Sequence, residues 1–135
     1  MRRSRPFVAL ELSVALAAAL ASCAVATPVQ RLSVGQSAFA GAVFPGETVA
    51  LGKPSPGVEQ FRVFQQGATG FVSIQAVRVG VQNSATQFCG RKGQAYRGVS
   101  ETAALPPYIP GNFPRVELVF ECVESPSLAQ PVSVK

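Results

Sequence analysis

Arg115-Val116-Glu117-Leu118-Val119-Phe120-Glu121-Cys122-Val123 is the stretch that decides the fold. Its apolar residues recur at every second place. Val116, Leu118, Phe120 and Cys122 share one side, and Arg115, Glu117 and Glu121 share the other with Val119. A period of two is that of a β-strand, and this polarity describes a sheet packed on one face and wet on the other. Something must cover Val116, Leu118 and Phe120, and Cys122 must point into that core.

The covering layer lies upstream. Phe71 to Gly93 contains no proline, and Ile74, Val77, Val81, Ala85 and Phe88 are spaced 3, 4, 4 and 3 apart, an apolar stripe at helical period. Ser73 is placed to cap the start. Arg91-Lys92-Gly93 suits the end, with cations against the negative pole of the helix dipole and a glycine for the left-handed cap. Gly80 works against the helix by about 1 kcal/mol. Cys89 follows Phe88 and falls on or beside the stripe, so two independent periodicities direct Cys89 and Cys122 toward the same interior.

Val58 to Gln66 (VEQFRVFQQ) and Gln94 to Thr102 (QAYRGVSET) read as two further strands, the first with Phe61 and Val63 on one face and Arg62 and Phe64 on the other. Thr48 to Leu51 has the composition of a short strand. Leu105 to Pro114 (LPPYIPGNFP) holds four prolines in ten residues and must be a loop. The order strand, helix, strand, strand predicts a small α+β domain, one helix on a small antiparallel or mixed sheet. The expected organisation is a signal at 1–22, a Gly- and Pro-rich tether at 23–57, the folded domain at 58–124 and a loose tail at 125–135. The tether is not very polar, and Phe39, Val43 and Phe44 are apolar enough to pack on the domain.

The N-terminus has a basic start (Arg2, Arg3, Arg5) and an apolar run from Phe7 to Ala21, the order of an export signal. Leu20-Ala21-Ser22-Cys23 closes it. This resembles the lipobox of bacterial lipoproteins: a leucine, two small residues, and the cysteine that becomes the lipidated N-terminus. The resemblance covers the first 23 residues and implies a diacylglyceryl thioether on Cys23 and a third acyl chain on its amine. Two or more chains anchor stably where one does not. The layout is similar to that of small lipoproteins of Gram-negative envelopes. In enterobacterial-type sorting an Asp after the cysteine favours the inner membrane. Ala24 stands there, which implies the outer membrane, facing the periplasm. Two alternatives stay open. Ala24-Val25-Ala26 is itself a cleavage site that would release a soluble periplasmic or secreted chain. The run Phe7 to Ala26 is also just long enough to span a bilayer uncut, although Glu11 is costly there.

With Cys23 assigned to lipid, Cys89 and Cys122 make a pair, read as a disulfide outside the cytoplasm. It would close a loop of roughly 34 residues, worth about 4 kcal/mol in the chain-entropy treatment. A redox role is less fitting, since redox cysteines usually stand two residues apart.

The 135 residues include no His, no Asp and no Trp. Ser-His and Cys-His nucleophile pairs are therefore excluded. So are the common zinc sets and an EF-hand loop. Paired glutamates remain for glycoside chemistry, but Glu117 and Glu121 read as a wet strand face. The net charge of +5 falls to +3 once Arg2, Arg3, Arg5 and Glu11 leave with the signal, and what remains is scattered rather than clustered as nucleic-acid binding requires. No phosphate-loop pattern accompanies the glycines.

The expected function is that of a lipid-anchored envelope protein, held to the membrane through Cys23 and acting by interaction with an envelope partner. It needs no catalysis, cofactor, metal or nucleic acid. The alternative is a periplasmic binding module or inhibitor that uses Leu105 to Pro114, where Tyr108, Ile109 and Phe113 stand among stiffening prolines. A rigid aromatic loop loses little entropy on docking; such a loop also serves as a plain connection when its aromatics fold back on the sheet.

Overall fold

The structure, a computed structural model, describes residues 24–125. The expected signal, Cys23 and most of the expected tail lie outside the described residues. Seven elements follow in order: β1 (Ala24–Ala26), β2 (Gln30–Arg31), β3 (Glu47–Ala50), β4 (Gln60–Gly67), α1 (Ile74–Gly90), β5 (Gln94–Ala103) and β6 (Arg115–Glu124). They form one antiparallel sheet in the order β1-β4-β6-β5-β3, with β2 also on β4. The domain is the α+β arrangement expected, with β6 at its centre.

α1 forms where the stripe predicts. Ser73 caps it, its hydroxyl accepting the Ala76 N–H at 3.1 Å. Val77, Val81, Ala85 and Cys89 are its buried residues, and Ile74 and Phe88 pack beside them. The predicted span is too long at both ends. Phe71 stands outside the helix and is fully exposed. Arg91 is the C-cap, and Gly93 turns the chain with φ +69°. Gly80 is explained by packing: a Cβ there would meet the side-chain amide of Gln65 on β4.

α1 rests on β4, β6 and β5 and does not reach β3. Beneath it lie Phe61, Val63, Val116, Leu118 and Phe120, all buried. Phe61, Phe88, Tyr96 and Phe120 stack at centroid distances of 4.8–6.3 Å. The Lys92 ammonium caps this cluster, 4.4 Å from the Phe61 ring and 4.3 Å from that of Phe88. Cys89 and Cys122 are joined by a disulfide, their Cα atoms 5.3 Å apart.

The other face of the sheet corrects two expectations. Residues 24–57 are not a tether lifting the domain away. β1 and β2 extend the sheet along β4, β3 extends it along β5, and the chain between them crosses the back of the sheet. The back of β6 is therefore not wet: Arg115, Glu117 and Glu121 are all buried. Each holds the wrapping chain by a backbone group. The Ser55 N–H donates to Glu121 Oε1 at 2.7 Å, and the Ala38 N–H donates to Glu117 Oε2 at 2.7 Å. The Arg115 guanidinium donates to the Phe44 carbonyl and lies 4.9 Å above the Phe39 ring. Phe39 is buried and meets the edge of Phe64. Burying polar groups is costly without such partners, and these contacts offset much of that cost, although Arg115 Nε is left without one.

Candidate functional site

Four surface-forming stretches meet at one end of the sheet. β4 and β5 end there, and β3, β6 and α1 begin there. β1 starts there too, because Ala24 pairs with Gly67, the last residue of β4. The stretches are the start of β1 at Ala24, Ala40 to Gly46, Ala68 to Ser73, and Ala104 to Pro114. The fold stitches them together: the Gly67 N–H donates to the Pro114 carbonyl at 2.8 Å, and a Cβ on Gly70 would fall 2.5 Å from the Tyr108 carbonyl. Similarly, a Cβ on Gly46 would fall 2.6 Å from the Ala103 carbonyl. None of the four stretches contains a charged residue, and the exposed Glu47 borders them where β3 begins. The opposite end carries Lys53, Glu59, Arg91, Lys92 and Glu124.

The expected binding loop lies here, and its residues divide. Tyr108 folds back, half-buried, and its hydroxyl donates to the Ala104 carbonyl at 3.2 Å. Phe113 is half-buried as well, and Ile109 is 44% exposed. Asn112, not anticipated from the sequence, sets the loop's shape. It is buried, and its side-chain amide donates to the carbonyls of Leu105 and Pro107, each at 2.9 Å. An asparagine among prolines is the signal that could have found it, since its donors serve carbonyls that proline-rich backbone leaves without N–H partners.

Beside the loop, where β3 projects past α1, the sheet is uncovered. A hollow of about 190 Å³ occupies this corner. Glu47 and Val49 of β3, Glu101 and Ala103 of β5, and Ile74 and Arg78 of α1 surround it, and Ala104, Leu105, Pro106 and Tyr108 close one end. Arg78 Nε donates to Glu101 Oε1 at 2.7 Å, so these two charges are committed to each other. The lining is otherwise mainly apolar. Tyr96 and Arg97 of β5 have structural work: Tyr96 joins the aromatic cluster, and Arg97 pairs with Glu121.

Among the described residues no three His, Cys, Asp or Glu side chains gather as metal ligands, and no helix is long and apolar enough to cross a membrane. No protein-family model, curated protein or solved structure matches the chain.

Proposed function

We propose that this chain is an exported, lipid-anchored protein of the cell envelope that acts by binding another protein. The hollow between α1 and β3 carries the second half of that reading. A site for a small-molecule ligand usually has a volume of about 300–1,000 Å³; the hollow holds about 190 Å³. That is room for one side chain, the way a partner protein seats an anchoring residue in a desolvated pocket. Of its charged groups Arg78 and Glu101 neutralise each other, which leaves Glu47, exposed at the rim, as a single carboxylate and favours recognition over chemistry that needs a carboxylate pair.

The address rests on the lipobox, and two features of the fold support it. The Cys89–Cys122 bond is of the kind that forms and persists in oxidising compartments outside the cytoplasm, which supports export. Cleavage after Ala26 would remove Ala24–Ala26, which is β1, paired with Gly67, Gln66 and Gln65. Cleavage before Cys23 keeps that strand.

The deciding experiment is the intact, non-reduced mass of the mature protein purified from membranes of cells expressing the full chain. A mass for Cys23 onward plus acyl chains, short by two hydrogens, is expected. A mass beginning at Thr27 without lipid overturns the anchor. For the hollow, Val49→Phe, at a lining residue that is 52% exposed, narrows the space and is expected to abolish co-purification of the partner at unchanged melting temperature. Undiminished co-purification would move the contact elsewhere.

A further inference from the structure

We infer that the charge-poor end of the sheet, where exposed Glu47 marks the β3 corner, is a lipid-contacting face on its β1–β4 side, and that the anchored domain sits directly on the membrane with this end in the headgroup layer. The inference rests on the proposed lipid at Cys23 and adds the orientation. Successive Cα atoms are about 3.8 Å apart, so a lipid on Cys23 would begin one residue before Ala24, which β1 holds against Gly67 at this end of the sheet. The wrapped course of residues 27–57 leaves no spacer to lift the domain. Whatever surface surrounds Ala24 must therefore meet lipid.

That surface has the required chemistry. Phe71 is fully exposed and Val43 is 89% exposed, with Ile109 on the same end. Exposed apolar groups grouped in this way mark an interaction face. Ala40–Gly46, Ala68–Ser73 and Ala104–Pro114 contribute no charge that would have to be desolvated. A water-facing end would not need this composition, and the far end, with Lys53, Arg91 and Lys92, does not have it.

The chain has no tryptophan, so a single introduced one reports its own depth. Phe71→Trp and, at the far end of α1, Gln87→Trp would be made in the full chain and purified from membranes with their lipid. Both would be reconstituted into phosphatidylethanolamine and phosphatidylglycerol vesicles whose acyl chains are brominated. The expected result is a blue-shifted Phe71→Trp emission that loses most of its intensity to bromine, with Gln87→Trp unaffected. Unquenched Phe71→Trp emission in protein whose mass includes the acyl chains overturns the orientation and leaves the anchor standing. If the mass shows no lipid, the anchor reading is what failed. The same variants are then floated with these vesicles: flotation with quenching at Phe71→Trp alone still supports a lipid-contacting face, and no flotation overturns it.

Discussion

Replacing Cys89 and Cys122 together by alanine is expected to cost about 4 kcal/mol and to lower the melting temperature by roughly 15–30 °C. The two residues are 33 apart in sequence, and their bond encloses all of β5, the proline-rich loop and nearly all of β6. Without the cross-link the unfolded chain regains the freedom of that whole loop, while the folded contacts of α1 on β6 persist. Against a total of about 5–15 kcal/mol for a domain of this size, that term is a large share of the net stability. Both sulfurs are buried, Cys89 fully, so the substitutions also remove packing from the core. Urea titration of the double variant, of oxidised wild type and of wild type unfolded and refolded under reductant checks this. The last should fall close to the variant. Equal midpoints for oxidised and reduced wild type would show that the bond contributes nothing.

Much of this fold is legible in the order of its residues. The alternation in Arg115–Val123 places β6, the stripe from Ile74 to Phe88 places α1, and their crossing predicts the disulfide. Ser73 is readable as a cap because its hydroxyl needs only the N–H three residues on. What the sequence hides is the back of the sheet. Alternation reports which residues share a face, and the step from charged to exposed holds only if nothing else brings hydrogen-bond partners. Here residues 35–55 bring them. Glu117 and Glu121 accept backbone N–H groups from a segment whose glycines and prolines read as unstructured. The apolar side chains in that segment are the signal that could have revealed it, and Phe39 is the one that packs.

The candidate site is legible only in parts. Leu105–Pro114 is visible as a rigid loop, yet its most exposed large apolar residue is Leu105, with Ile109 next, rather than Tyr108 or Phe113. Phe71 hides inside a predicted helix and is in fact the most exposed large apolar residue among those described. The absence of charge in three separated stretches is plain on inspection, but only the antiparallel order of the strands brings them to one end, beside Ala24. The hollow needs β3 in place against β5, and a four-residue strand carries too little pattern to be placed by periodicity.

The wrap over the sheet should also be sensitive to acid, through Glu121. Burial pushes the Glu121 carboxyl pKa up. The Ser55 N–H, the Arg97 guanidinium and the Ser55 hydroxyl, all donating to or attracting the carboxylate, outweigh this and hold it below the ordinary value of 4.5. A carboxyl with a depressed folded-state pKa binds its proton more weakly folded than unfolded. Its contribution is therefore complete above about pH 4.5 and is lost as pH falls through the lower folded value. Glu121→Gln isolates that contribution. A carbamoyl presents one acceptor, but two donors face this position, the Ser55 N–H at 2.7 Å and Arg97 Nη2 at 2.5 Å. Its own NH₂ would then confront one of them, donor against donor, inside the fold. Removing a hydrogen-bonded buried charge in this way should cost roughly 1.5–3 kcal/mol at pH 7. The gap to wild type should narrow steadily below pH 4.5, because wild-type Glu121 becomes neutral too. Urea midpoints of the two proteins at pH 7, 5, 4 and 3 test this, read as differences so that other carboxylates cancel. A gap that stays constant to pH 3 would show that the residue acts through shape alone. A gap that closes would identify the Glu121 carboxylate, held by Ser55 and Arg97 together, as an electrostatic latch at the point where the N-terminal wrap meets the central strand.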